Sequence, residues 1–425
     1  MLRTAMSSLR PAILLVLGMM LTACGGSESN TAVVTTATPT IFYAHAVAFR
    51  NNTAVSWGYN ANGQLGTGTS TTHTTPVLVN GGSVTGMDGL AVGGTHNIVF
   101  DNISGGAVKT WGNNGVGQLG NGTETAESVP VNVLQDDNTL LTGVQAVAAG
   151  AAHSLALRRD GTVWAWGYNG YGQLGINSNV SRSAKAVRVV GNPETDALPE
   201  GIIGIAAGGS HSLALDGFGR VWGWGYNGNG QLGDGTTTDR LAPKRVIFPE
   251  GVTIIAIAAG GSTSLAIDSN REVWGWGYNK YGQAGTAPGA GADGMRQITP
   301  ARVKLTDAPD PVTYLTAVSK IAVGLDHSLA LREDGTMWAW GFNSYRQLGR
   351  GEDDVISTSE TAYPVPKQVV AGDITGTISD IRAIGHYSLA TTMDGKVFAW
   401  GMNSYYQLGN GTTTNSSAPK LVTGY

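Results

Sequence analysis

The ten residues WGYNGYGQLG, positions 166–175, recur in closely related form seven times along this 425-residue chain. Each copy has a glycine directly after its tryptophan, an asparagine three residues after it and a glutamine seven residues after it. The copies begin at Trp57, Trp111, Trp166, Trp224, Trp276, Trp340 and Trp400. A pattern repeated at intervals of this length is typical of a repeat architecture, in which one supersecondary unit is used several times.

The constant spacing within the motif indicates a strand that runs into a tight turn. Gly167 follows Trp166, where a chain leaving a strand needs a positive φ or a close approach of two backbones. We expect the side-chain amide of Asn169 and of its equivalents to cap that turn.

The third unit shows how each repeat divides into strands. Residues 144–150, 153–161, 162–167 and 185–190 are short β-type runs bounded by glycine, Asp-Gly or asparagine, and none has helical periodicity. Hairpin signals join the second and third runs at Asp160-Gly161, Asp334-Gly335 and Asp394-Gly395. We place a proline at the start of the last strand in six units, on an outer edge where no ladder donor is needed: Pro76, Pro130, Pro243, Pro300, Pro366 and Pro419.

Seven such four-stranded antiparallel units predict an all-β, seven-bladed β-propeller. Small residues in the first strands, such as Ala148, Ala206 and Ala258, fit the crowded region near the axis. Tryptophans two residues apart, such as Trp164 and Trp166, lie on one face of a strand, and we assign them to packing between blades.

The G-x-x-H-S-L-A-L runs at 150–157, 208–215 and 324–331, each followed by the tryptophan motif, resemble the regulator of chromosome condensation repeat. The resemblance covers residues 41–425. It implies a seven-bladed propeller, and through the family's founding member it would suggest guanine-nucleotide exchange on a small GTPase.

The amino end has the composition of an export signal. Arg3 and Arg10 precede an apolar run, residues 11–21, that is too short for a permanent membrane span. The run leads into Leu-Thr-Ala-Cys at 21–24, which resembles a bacterial lipobox. We therefore predict a lipoprotein signal peptide at 1–23, lipidation of Cys24, a flexible tether over 24–40 and the propeller domain at 41–425. Gly25 favours the outer membrane if the host is Gram-negative.

Composition argues against nucleic acid as a partner. After removal of Arg3 and Arg10 with the signal peptide, 24 Lys and Arg remain against 30 Asp and Glu, and no basic stripe is available to neutralise phosphates. Cys24 is the only cysteine, so no disulfide forms within the chain.

The chemistry of a catalytic centre is not evident in the sequence. His45, His96, His153, His211 and His327 occupy equivalent positions, with Thr263 in the fifth unit and His386 displaced by one residue in the seventh. Equivalent positions in neighbouring blades lie about 10 Å apart, whereas zinc ligands lie near 2.1 Å from the metal, so we interpret these histidines as structural. No phosphate loop or nucleophile elbow is present. We predict no enzyme activity, no cofactor and no metal, although acidic loops such as 136–137 and 352–354 leave weak calcium binding open.

Aromatic residues recur on one face of the predicted ring. Strand parity puts the first-to-second and third-to-fourth connections at the same end of the propeller, and the insertions 286–299 and 350–365 open there. The insertions 134–143, 191–202 and 305–316 open on the other face. Repeated aromatics are suitable rigid anchors for a protein partner. The candidate partner-binding residues are Tyr59, Tyr168, Tyr171, Tyr226, Tyr278, Tyr281, Phe342, Tyr345 and Tyr405.

These observations favour an exported, monomeric, envelope-anchored propeller that binds another protein through this face. Glycan or cell-wall binding is an alternative, and so is inhibition of β-lactamases, because the resemblance extends to secreted bacterial propellers that have this activity. Nucleotide exchange fits an exported protein poorly. The repeats leave ring closure open: the carboxyl end completes either the seventh blade or the first.

Overall fold

The computed structural model describes residues 43–101, 105–190, 201–287, 295–305, 313–351 and 362–424. All of them belong to one compact unit, Ile41–Tyr425. The expected signal peptide, Cys24 and the tether lie outside the described residues. So do 191–200 and the central parts of the insertions 286–299, 305–316 and 350–365.

The described residues form seven antiparallel sheets, which are the blades of a β-propeller. The first blade has three strands: β1 (His45–Arg50), β2 (Thr53–Gly58) and β3 (His73–Leu78). The second has β4 (Gly89–Val92), β5 (His96–Asp101), β6 (Ala107–Gly112) and β7 (Glu127–Asn132). The third has β8 (Val144–Ala149), β9 (His153–Arg158), β10 (Val163–Tyr168) and β11 (Arg182–Arg188).

The remaining four blades have four strands each. The fourth has β12 (Ile202–Ala207), β13 (His211–Asp216), β14 (Val221–Gly225) and β15 (Arg240–Arg245). The fifth has β16 (Ile254–Gly260), β17 (Thr263–Asp268), β18 (Val273–Tyr278) and β19 (Arg296–Arg302). The sixth has β20 (Val318–Val323), β21 (His327–Arg332), β22 (Met337–Gly341) and β23 (Lys367–Gln368). The seventh has β24 (Ile378–Ile384), β25 (Tyr387–Thr392), β26 (Val397–Gly401) and β27 (Ser416–Leu421).

Strands within each blade pair in chain order, and the last strand forms the outer edge. The first strands of the second to seventh blades line an axial cavity of about 320 Å³ with small residues that include Ala148, Ala206 and Ala258. This confirms the all-β, seven-bladed architecture. The only helical element among the described residues is a 3-10 turn at Val79–Gly82, and none of these residues forms a helix able to span a membrane.

The outer strands differ from the prediction at their amino ends. Pro76, Pro130, Pro243 and Pro419 lie inside their strands, three residues after the start, and Pro300 lies four residues after it. Each of these strands begins earlier than predicted, because a residue at or next to its start pairs with the glycine that follows the tryptophan. A shift in register separates this pair from the rest of the ladder, as between Gly58 and His73. The prolines are still accommodated because an outer edge requires no backbone donor.

Ring closure follows the first of the two alternatives. The carboxyl-terminal strand β27 pairs with β26, so the seventh blade is completed in sequence order. The first and last blades then meet through side chains. Trp57 Nε1 donates to the carbonyl oxygen of Gln407 at 2.9 Å, and the Tyr387 hydroxyl donates to that of His45 at 2.5 Å.

Apolar packing is concentrated between the blades rather than within them. There are seven buried hydrophobic clusters, and each joins two adjacent blades. The cluster between the third and fourth blades, for example, contains Leu155 with Trp222 and Trp224. The seven motif tryptophans are fully buried in these clusters, as expected for packing between blades.

A buried polar network also links each pair of neighbouring blades. At the junction of the second and third blades, Trp166 Nε1 and Ser154 Oγ both donate to the carbonyl oxygen of Gln118, each at 2.9 Å. His96 Nε2 lies 2.9 Å from the same Ser154 Oγ. Because that hydroxyl donates to Gln118, it accepts from His96, which fixes the Nε2–H tautomer of the imidazole.

Candidate functional site

The tryptophan motif holds two side-chain positions at fixed places on one end of the propeller. The first position is two residues after the tryptophan. In the third blade it is Tyr168, whose backbone N–H donates to the carbonyl oxygen of Ala152 at 2.9 Å. The preceding Gly167 has φ 96°, and a Cβ there would lie 2.6 Å from the same oxygen, so only glycine allows the chain to turn so closely.

The second position is five residues after the tryptophan, at Tyr171 in the third blade. Its backbone N–H donates to Gln173 Oε1 at 3.0 Å. Asn169 Oδ1 accepts from the Leu174 N–H at 2.9 Å, while its Nδ2 donates to the carbonyl oxygen of Val180 at 2.6 Å. The asparagine therefore caps the turn as expected, and the glutamine adds a second support that sequence reasoning did not assign.

The nine predicted aromatics occupy these two positions, and we call this set the rim. All nine are half-buried. The structure brings them into three groups in which an aromatic at the second position of one blade contacts an aromatic at the first position of the next. The groups are Tyr168, Tyr171 and Tyr226; Tyr278, Tyr281, Phe342 and Tyr345; and Tyr405 with Tyr59.

Contacts across blade junctions are close. The ring centroids lie 4.9 Å apart for Tyr171 and Tyr226 and 4.6 Å apart for Tyr281 and Phe342. Tyr405 and Tyr59 lie 5.5 Å apart, at the junction of the last and first blades. Such pairs stabilise each other by about 0.5–1.5 kcal/mol beyond their burial, so the rings present preordered surfaces.

The rim is not continuous around the ring. The second blade has Asn113 and Val116 at the two positions, and Asn229 separates Tyr226 from Tyr278. The largest continuous group is therefore the second, over the fifth and sixth blades. His386 of the seventh blade extends it, with its ring centroid 5.0 Å from that of Tyr345 and 5.6 Å from that of Phe342.

Three polar residues of the second group were not predicted. Lys280 Nζ lies 5.4 Å from the ring centroid of Tyr281, and Asp326 accepts a 3.3 Å hydrogen bond from Gln283 Nε2. Burial raises the pKa of Asp326 to about 6, partly offset by the charge of Lys280, and burial lowers the pKa of His386 to about 4. In the sequence these three residues differ from their equivalents in the other blades, as Asp326 stands where most blades have a small residue. That difference is the only signal the sequence gives for them.

Three tyrosines of the rim have raised pKa values. Burial, with smaller contributions from Tyr281 and Asp326, raises the pKa of Tyr278 to about 12. Burial also raises the pKa of Tyr168 and of Tyr226. At neutral pH these three tyrosines therefore offer neutral hydroxyl groups rather than phenolates.

The repeated histidines belong to the network between the blades. Four of them bond the serine of the next blade at 2.9–3.0 Å, and His45 bonds Asn97 Oδ1 at 3.0 Å. In the seventh blade the equivalent residue is Tyr387 and not the displaced His386. Its hydroxyl takes over the link to the first blade, where Ala46 stands in place of serine.

No group of three or more His, Cys, Asp or Glu residues able to hold a metal occurs in the described part of the chain. Of the acidic loops considered for calcium, 352–354 lies outside that part. Asp137 instead accepts hydrogen bonds from the backbone and hydroxyl of Thr139, at 2.8 and 2.6 Å, and these bonds lower its pKa.

The opposite end of the propeller also has exposed apolar side chains. Phe218 and Met393, in the hairpins between second and third strands, are 78% and 75% exposed. The guanidinium of Arg220 lies over the ring of Phe218, 5.0 Å from its centroid. These residues provide a natural comparison surface for experiments on the rim.

Comparison with known proteins agrees with this architecture. The chain is 28% identical over 391 residues to the ultraviolet-B receptor UVR8 of Arabidopsis thaliana, covering 89% of this chain and 80% of that protein. It is 32% identical over 334 residues to the mitochondrial RCC1 domain-containing protein RUG3 of the same plant, covering 74% and 69%.

Solved structures show the same fold. Human WBSCR16 superposes with a TM-score of 0.71 at 24% identity, over 88% of this chain and 94% of the other. Prp20p of Saccharomyces cerevisiae gives 0.69 at 23% identity, over 90% and 88%. The sequence profile of the RCC1-like domain matches residues 53–424, and this chain therefore belongs to the RCC1-like domain family.

Proposed function

We propose that this protein is an envelope-anchored, non-catalytic propeller that binds another protein through the rim. Export and lipidation of Cys24 remain predictions from the sequence at 1–24. The observation that supports the binding role is the grouping of half-buried aromatics whose backbones are fixed by the repeat. Hot-spot residues at protein interfaces are enriched in such rigid aromatics, surrounded by groups that exclude water.

Similar proteins support binding in general but do not name this partner. Yeast Prp20p binds Gsp1p and histones, and Kap60 has been crystallised bound to the same yeast protein. An exported protein has no access to cytosolic or nuclear partners. Because function depends on the loops grafted on a fold, we propose a partner in the envelope or outside the cell.

Affinity capture tests this proposal. The full chain with a tag after Tyr425 is expressed in its native host and recovered from envelope and secreted fractions. One variant, Tyr281→Ala with Phe342→Ala, disrupts the second group of the rim. A matched control, Phe218→Ala with Met393→Ala, removes two exposed apolar side chains from the opposite end. Thermal melting confirms that both variants remain folded.

We expect a protein that is retained by the parent and by the control but is lost from the rim variant. Retention by the rim variant and loss from the control would move the site to the opposite end. If no protein is captured and the propeller itself is retained on peptidoglycan or outer-membrane glycans, glycan binding would replace protein binding as the proposed function. Inhibition of a purified β-lactamase, measured with a chromogenic cephalosporin, tests whether the partner is an enzyme of that class.

A further inference from the structure

The second group of the rim contains a carboxyl group that the other blades lack. Asp326 immediately precedes His327 in the turn between β20 and β21. The other blades have a small residue or a histidine at the equivalent position: Ala44, Thr95, Ala152, Ser210, Ser262 and His386. A carboxylate here is therefore not required for the turn.

The backbone on both sides of this carboxyl group is fixed. The Asp326 carbonyl oxygen accepts from the Phe342 N–H at 2.8 Å, and the Leu325 N–H donates to the carbonyl oxygen of Gly385 at 2.9 Å. These bonds tie the turn to Phe342 and to the loop of His386 in the next blade. The backbone that carries the carboxylate is thus held at a defined place beside Phe342.

The carboxylate also connects with the neighbouring blade. Gln283 Nε2 donates to it at 3.3 Å, and Gln283 Oε1 accepts from the Tyr281 N–H at 2.9 Å. No described lysine or arginine forms an ion pair with Asp326, and the positive charge of Lys280 acts on it only from a distance. Asp326 is half-buried; partial burial of a carboxylate without a cationic partner is unfavourable, and an incoming cation would offset that cost.

We propose that this part of the rim binds a lysine or arginine side chain of the partner, with Asp326 as the counterion and Tyr281, Phe342 and Tyr345 as aromatic walls. The inference rests on the proposed protein-binding role of the rim and specifies its chemistry. Faces of aromatic rings attract cations, more strongly when water is excluded. Arginine and lysine side chains also contribute apolar stems that pack on such rings.

Binding of the cation is expected to weaken on acidification. Lys280 and Tyr278 of the fifth blade interact electrostatically with Asp326. The other titratable groups nearby are the adjacent His327, which burial keeps neutral at these pH values, and His386, which acts on His327. Asp326 takes up its proton near pH 6, while burial keeps His386 neutral down to about pH 4. A drop from pH 7.5 to pH 5.0 therefore removes the negative charge without adding a positive one at His386.

A random 12-residue peptide library displayed on phage provides the probe, with the full chain immobilised at pH 7.5. We expect the selected peptides to be enriched in lysine or arginine. Asp326→Ser introduces the residue found in the fourth and fifth blades and should weaken the binding of a selected synthetic peptide at least 10-fold. Lys280→Met removes a competing cation and should strengthen the binding of the peptide. The matched control Asp239→Asn, beside the first group, should change affinity less than 2-fold.

The pH dependence completes the test. Over the part of the range from pH 7.5 to pH 5.0 in which tryptophan fluorescence shows both proteins folded, the peptide should bind the parent progressively more weakly, by up to about 10-fold, whereas the affinity of Asp326→Ser should change little. The contrary result is a set of selected peptides that lack basic residues, bind the parent and Asp326→Ser equally, and do not bind Phe342→Ala. That result would overturn the cation inference and leave the proposal of rim binding intact. Selected peptides that depend on no rim residue would overturn both.

Discussion

Acidification is expected to destabilise this propeller strongly, because its repeated histidines are held neutral inside the fold. Five of them are fully buried: His45, His96, His153, His211 and His327. Burial lowers the pKa of His45 and His153 to about 4 and that of the other three to about 3. In the unfolded chain a histidine titrates near pH 6.5.

The geometry explains why protonation is unfavourable. Nε2 of each imidazole already bonds a side-chain oxygen of the next blade, so an added proton would go to Nδ1. Nδ1 of all five histidines is buried and has no hydrogen-bond partner in the described structure. The charged ring would therefore carry an unsatisfied donor in a desolvated site.

The magnitude follows from linkage between protonation and folding. Below pH 6.5 the unfolded state binds more protons than the native state, so the free energy of unfolding falls as pH falls. At pH 5.0 each histidine contributes a loss of about 2 kcal/mol, and five contribute about 10 kcal/mol. His386, whose pKa is also lowered by burial, adds to the loss, whereas Asp326 and Asp239, whose pKa values are raised by burial, oppose it. The loss is comparable to the whole stability of a typical domain.

Guanidinium unfolding followed by tryptophan fluorescence between pH 7.5 and pH 5.0 measures the loss. His211→Thr, which copies the fifth blade, should be less pH-dependent than the parent by about 2 kcal/mol over this range. Thr263→His should be more pH-dependent by a similar amount. Equal pH dependence in all three proteins, or NMR signals of these five imidazoles that titrate near pH 6.5 in the folded parent, would refute the reasoning.

Two further substitutions test the construction of the ring by guanidinium unfolding at pH 7.5. Tyr387→Phe removes the hydroxyl that bonds the carbonyl oxygen of His45 between the last and first blades, and should lower the unfolding free energy by about 1–3 kcal/mol; no change would mean that this bond adds nothing to the apolar packing and the Trp57–Gln407 bond that also join these blades. Gly167→Ala adds a Cβ 2.6 Å from the carbonyl oxygen of Ala152 at a positive φ and should cost about 3 kcal/mol or more. Gly335→Ala, at a positive φ in open space, should cost only about 1 kcal/mol, so equal losses would exclude the close contact as the cause.

The sequence was sufficient for the blades because each local signal agrees with the global fold. The Gly, Asn and Gln of the motif each serve one backbone requirement in every blade, as Gly167, Asn169 and Gln173 show in the third. The aromatic positions could be predicted from strand parity. Their grouping across junctions could not, because it depends on distances between neighbouring blades.

Departures from the repeat were harder to interpret. His386 resembled a displaced copy of the structural histidine, but the register of β24 and β25 puts Tyr387 at that position. The way the ring closes was undecided because identical repeats do not specify which strands pair at the ends. Asp326 departs from the repeat, but that departure alone did not single it out because a lone acid in a turn usually faces solvent.

The central claim is that the rim is the surface in contact with a partner. A photoreactive phenylalanine analogue can be placed in the full chain at Tyr171, Tyr281 or Tyr345, and at Phe218 on the opposite end as the control. After irradiation of the living native host, we expect a discrete adduct from the rim positions and none from Phe218. An adduct from Phe218 alone, or no adduct from any rim position, would contradict the account.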